Sequence, residues 1–66
     1  MTKITISERI KSHRKRNKLT QEEFGGIFGI SAQAVSKWER VECYPDIVLL
    51  PEIAKVLACS VSDFFE

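Results

Sequence analysis

Apolar residues recur along this chain at helical intervals and almost nowhere in alternation. Phe24, Ile27 and Phe28 fall at i, i+3 and i+4, one apolar face of a helix. Val35 and Trp38 make a second such face, and Leu50, Ile53, Ala54 and Leu57 a third. Ile6 and Ile10 mark a fourth, shared at the same spacing by Arg14 and Asn17. Ile4 and Ile6 alternate too briefly to count as a strand. The pattern predicts an all-α chain of five short helices, one domain over residues 1–66.

Polar residues set the expected helix ends. Ser7 is predicted to cap the first helix, with Glu8 near its positive end. Arg14 lies on the side that should meet the core, and a half-buried arginine needs an acid partner. Asn17-Lys18 is the expected corner before Leu19. Thr20 and Glu23 have the spacing of a capping box, opening a second helix from Gln21 to Phe28. Gly25-Gly26 sits inside that helix, at a cost of roughly 1 kcal/mol per glycine. Gly25 is expected to permit close approach of the next helix, whereas Gly26 has no evident reason.

Gly29 suits a left-handed terminating residue, and Ser31 is a good cap for a third helix, Ala32 to Glu39. Asp46 is read as the cap of the fourth, whose start Pro51 should make loose or 3₁₀-like. Val48, Leu49 and Val56 are apolar beyond what its core stripe needs. Ser60 and Asp63 form another capping-box spacing, with Phe64 and Phe65 available to the core.

The third helix separates its faces. Val35 and Trp38 turn inward, which makes Trp38 a core residue and not a stacking platform. Gln33, Ser36, Lys37 and Arg40 recur at i, i+3, i+4 and i+7 on the other side. Charge is just as uneven along the chain. Residues 1–18 carry seven basic side chains and one acid, Glu8, a net +6. The remainder carries three basic and eight acidic residues, a net −5, which hides the asymmetry inside a total of +1. Such a basic segment is either a plain solvated face or one directed at an anion.

Other classes find little support. No apolar run is long enough to span a membrane, and no leader with a cleavage site opens the chain. Cys43, Cys59 and the single His13 lack metal-ligand spacing, so neither zinc nor a disulfide is expected, and a cytoplasmic setting is. One histidine and no convergent carboxylates give an enzyme nothing to work with. No cofactor or small-molecule ligand is expected.

Two helices joined by a short glycine-containing corner describe a helix-turn-helix. T-Q-E-E-F-G-G-I-F-G-I-S-A-Q-A-V-S-K-W-E-R resembles that motif in the lambda-repressor-like (Xre-type) DNA-binding domains. L-L-P-E-I-A-K-V-L-A-C-S-V-S-D-F-F resembles the last two helices of the same domain, so the likeness runs from about Ile6 to Phe65. The resemblance implies that Gln21 meets the DNA backbone and that Ala32, Gln33 and Ala34 face base edges in the major groove. It implies phosphate or flanking-base contacts for Ser36 and Lys37, and a buried ion pair between Arg14 and Glu39. Thr20, Ser31 and Arg40 complete the expected DNA-facing set. Three residues depart from the family pattern: Gly25 for a usual alanine, Val41 after Glu-Arg, and Ala58 at the end of the fourth helix, both for a common glycine.

The residues carry a physical case beside the likeness. The Gln33 amide suits adenine N6/N7, a contact worth about 1–3 kcal/mol of discrimination. Lys37, Arg40 and part of the basic first helix would neutralise phosphates. Ala32 and Ala34 offer only methyl contacts, Ser36 is either a contact or a filler, and Arg16 and Lys18 can be plain solubility charges.

The leading expectation is a sequence-specific, double-stranded-DNA-binding transcriptional regulator of the repressor kind. It would act as a homodimer on a pseudo-palindrome. Leu49, Glu52, Val56 and Val61 are the expected dimer face. The alternative is a protein-interaction module such as an antitoxin, which should add a segment to wrap its toxin, whereas this sequence stops at Glu66.

Overall fold

Four α-helices and two 3₁₀ turns make up the computed structural model, which describes residues 3–65. They are α1 (Ile6–Arg16), α2 (Gln21–Ile27), α3 (Ala32–Glu39) and α4 (Leu50–Leu57). One 3₁₀ turn, Ile47–Leu49, leads into α4, and the other, Val61–Phe64, stands where a fifth helix was expected. The all-α fold is therefore as the sequence predicts, with its fifth element wound more tightly.

Each element contributes to one core. Ile6 and Ile10 of α1, Phe24 of α2, Val35 and Trp38 of α3, Ile53 and Ala54 of α4 and Phe64 are buried together. Phe24 also packs edge-on against Phe28, with ring centroids 5.3 Å apart. Ile27, assigned to the same face from its spacing, is 52% exposed. The reason is Gly25, which is itself buried. It turns the packed sector of α2 toward its own side and leaves Ile27 at the edge. Phe65 is likewise half out of the core.

Ser7 does not cap α1. The helix starts at Ile6, two residues earlier than a cap at Ser7 implies, and the Ser7 hydroxyl instead donates to the Trp38 carbonyl at 2.5 Å. The same carbonyl accepts from the Val41 amide at 3.2 Å, so the Ser7 hydroxyl adds a second bond at the C-terminus of α3. Asp46 makes no side-chain cap either; its carbonyl accepts from the Leu49 amide at 2.8 Å to form the 3₁₀ turn. Pro51 then falls in the first turn of α4, where the missing N–H costs nothing. At the C-terminal turn, Ser60 and Asp63 form the expected capping box.

All four helices end in the same way. An amide reaches back five residues to close each end, Leu19 to Arg14, Ile30 to Gly25, Glu42 to Lys37 and Cys59 to Ala54, at 2.8–3.0 Å. The residue before each of these amides is left-handed: Lys18 (φ 56), Gly29 (φ 69), Val41 (φ 60) and Ala58 (φ 57). Only one of the four is glycine. Val41 and Ala58 thus take the conformation of the glycines they stand in for, and α3 ends on time.

The described ends of the chain meet. Ile4 and Phe65 form an isolated antiparallel bridge, and the Thr5 amide donates to the Phe64 carbonyl at 2.8 Å. The Thr5 hydroxyl donates to the Asp63 carbonyl at 3.0 Å and makes no cap to α1.

Candidate nucleic-acid interface

The geometry of the interface begins with local bonds. The Thr20 hydroxyl accepts from the Glu23 amide at 3.0 Å, and the Glu23 carboxylate accepts from the Thr20 amide at 2.8 Å. At Gly29 the chain turns left-handed, and Ser31 accepts from the Ala34 amide at 3.2 Å to start α3. Gly25 sets how closely the corner folds back. A Cβ on it would lie 2.3 Å from the Ile30 carbonyl oxygen and 3.2 Å from Val35 Cγ2. The close neighbour is thus the backbone of the turn first and α3 second. Nothing lies within 4 Å of a Cβ on Gly26.

Trp38 and Val35 anchor α3 from below, and its outer side opens on a shallow groove. Gln21, Ala32, Gln33, Ser36, Lys37 and Arg40 line that groove, together with Glu22. Six of the nine residues expected to face DNA are therefore brought together. Gln33, Lys37 and Arg40 are exposed; Gln21, Ala32 and Ser36 are half-buried. Thr20, Ser31 and Ala34 lie outside the groove, the first two with their hydroxyls committed as caps.

Glu22 was not anticipated there. Its place directly after Gln21 was the available signal. Arg40 is also less free than its spacing suggests, because it pairs with Glu42 beyond the end of α3. The groove therefore carries little net positive charge.

Behind the groove lies the ion pair that holds α3 on α1. Arg14 Nε donates to Glu39 Oε2 at 2.8 Å and its Nη2 to Oε1 at 2.9 Å, a two-pronged contact. Its Nη1 donates to the Leu19 carbonyl at 3.1 Å. The Glu39 side chain is only 5% exposed and that of Arg14 16%. Burial pushes the Glu39 carboxyl up, but hydrogen bonds from Arg14 and Gln21 outweigh it, leaving the group below its ordinary value. The hydrogen bond to Glu39 likewise raises the Arg14 guanidinium. The Gln21 amide, which reaches Glu39 Oε1 at 3.4 Å, links this pair to the groove.

Of the expected dimer face, Leu49, Val56 and Val61 pack partly against the core, and Glu52 is exposed. Ile47 and Val48, in the adjoining 3₁₀ turn, are more open, at 79% and 74%.

This arrangement has known counterparts. The sequence profile of the helix-turn-helix family matches residues 10–64. The chain belongs to the lambda-repressor-like (Xre-type) helix-turn-helix family. Among its members, the chain is 40% identical over 55 residues to the repressor protein C2 of Salmonella phage P22. That match covers 83% of this chain and 26% of the relative. It is 42% identical over 57 residues to the HTH-type transcriptional regulator DicA of Escherichia coli (strain K12), covering 86% of this chain and 42% of the relative. The chain thus spans well under half the length of either. A crystal structure of the P22 c2 repressor protein in complex with synthetic operator 9T matches the fold at TM-score 0.78 and 38% identity. The match covers 88% of each chain.

Proposed function

We propose that this helix-turn-helix chain is a sequence-specific binder of double-stranded DNA and a transcriptional regulator, most simply a repressor. It is a binding module and not an enzyme. The observation that carries the reading is the groove along α3, where an amide and two cations project from a helix whose other side is fixed by Trp38 and Val35. A similar repressor crystallised on a synthetic operator lends support to this reading.

In the proposed complex α3 lies in the major groove, and Gln33 reads an adenine edge. Lys37 meets phosphate, and Arg40 joins it on leaving Glu42. Gln21, at the start of α2, holds the DNA backbone. Two copies would bind a pseudo-palindrome with half-site centres about 34 Å apart. The dimer would use the α4 side, where Ile47 and Val48 extend the face of Leu49, Glu52, Val56 and Val61.

A mobility-shift titration with duplex DNA at two salt concentrations tests the reading. Binding at low salt that weakens steeply as salt rises is expected. Absence of any shift at low salt rejects DNA binding. Gln33→Ala should relax the preference among duplexes, while Lys37→Ala should weaken all of them and flatten the salt slope by about one.

A further inference from the structure

Helix α1 has two working flanks, roughly 200° apart around its axis. Ser7 and Arg14 lie on one and reach Trp38 and Glu39 of α3. Arg9 and Arg16 lie on the other, which faces the end of α4 and the C-terminal 3₁₀ turn. A cleft opens there, lined by Lys3, Arg9, His13 and Arg16, with Glu8 at its side and Leu57 as an apolar wall. Three permanent cations thus gather away from α3, with Glu8 in the lining and the Asp63 carboxylate, already bonded to the Ser60 amide, near Arg9. The groove on α3, with Lys37 and Arg40 set against Glu22 and Glu42, is the less basic of the two surfaces.

Arg9 is held in place within this cleft. Its Nε donates to Thr5 Oγ1 at 3.3 Å and to the Asp63 carbonyl at 3.1 Å. Neither Nη is bonded to any described residue, so the outer edge of the guanidinium is free and already oriented. That edge fits the two oxygens of a carboxylate. Leu57 beside it suits an apolar side chain, and Glu8 opposes a uniform polyanion such as a phosphate backbone. The hydroxyl of Ser12, also in the lining, adds a neutral donor.

We propose that this cleft is a second binding surface, for an acidic polypeptide segment that seats a carboxylate in the Arg9 fork and an apolar neighbour on Leu57. It shares no lining residue with the α3 groove and does not depend on what that groove binds. Both surfaces are therefore open at the same time.

The test is titration of the chain with a short capped peptide of Glu and Leu at low salt, read by fluorescence anisotropy. Binding is expected, weakened about tenfold in the Arg9→Gln/Arg16→Gln variant and unchanged in Lys37→Gln. Because Arg9 also ties α1 to the C-terminal turn, Lys3→Gln/Arg16→Gln gives a second reading if the first variant melts early. A loss of about threefold to fivefold is expected there. A saturating DNA duplex should leave the peptide bound. The proposal is overturned if the peptide does not bind, if neither double variant weakens it, or if duplex displaces it. It is also overturned if the same variants weaken duplex binding as much as Lys37→Gln, which would make the flank a nucleic-acid contact. A chain that takes the peptide but no duplex supports the cleft and rejects the α3 reading separately.

Discussion

The corner between α2 and α3 and the exits of α1, α3 and α4 close with the same backward hydrogen bond, but they reach it by different means. The corner has Gly29 in the left-handed position and Gly25 beneath the Ile30 carbonyl. The exits place Lys18, Val41 and Ala58 in a conformation that disfavours a side chain. At the corner local chemistry alone favours the turn. At the exits the packing of the rest of the molecule imposes it, against a local preference. A helix-turn-helix can thus keep its motif locally determined while the surrounding helices depend on one another.

The sharpest break removes packing near a strained exit. Glu39 adjoins the exit at Val41, and Glu39→Ala leaves Arg14 buried without its partner. A loss of about 3–5 kcal/mol in urea unfolding is expected, enough to unfold most of so small a domain. A loss near zero would mean that the exit holds without the pair. The same contact gives the wild type a pH dependence. The Glu39 carboxyl lies below its ordinary value when folded, so protonation favours the unfolded chain. Its contribution is complete above the ordinary carboxylate value, about 4.3, and fades as pH falls through the lower folded value. Acid unfolding followed by circular dichroism should show this fading in the wild type and not in Glu39→Ala.

Next in size is Gly25→Ala, which forces a methyl against a backbone carbonyl that cannot swing aside. Destabilisation of about 3 kcal/mol is expected in thermal melts. An unchanged melt would show that the corner is looser than its geometry. Reciprocal exchanges probe the two kinds of ending directly. Gly29→Ala should cost about 1 kcal/mol, and Val41→Gly and Ala58→Gly should each gain up to about 1 kcal/mol. If the exits lose stability on receiving glycine, packing of Val41 and Ala58 outweighs their strain. The smallest effect belongs to Gly26→Ala, with open space around it: a gain of about 0.5–1 kcal/mol in the same melts.

These contrasts also explain what could be read in advance. The corner was legible, because Thr20, Glu23 and Ser31 act on amides three residues away and Gly29 only on its own backbone angle. The need of Arg14 for an acid was legible from its place on a core face. Ser7 was not: its hydroxyl looks like a cap from the sequence, yet its acceptor is 31 residues distant on Trp38. The exposure of Ile27 depends on which side of α2 is packed, which Gly25 decides and periodicity does not. In the groove on α3, Gln33, Ser36, Lys37 and Arg40 were legible from spacing and Gln21 and Ala32 from the family likeness, whereas Glu22, beside Gln21 on α2, was not. The Arg9 cleft needs residues from both ends of the chain, so no local pattern announces it.

The bridge between Ile4 and Phe65 makes the molecule a nearly closed ring with a clasp. Both strands of the clasp leave it on the same side, so a pull on the two ends opens its bonds one after another instead of loading them together. Tension of that kind would release the C-terminal turn and the start of α1 first, while the capped corner between α2 and α3 stays folded. Because Ile4 and Phe65 are neighbours, a short covalent link across them would lock the ring. New ends could then be cut into the exposed stretch at Cys43 and Tyr44, beyond the Glu42 amide that closes α3.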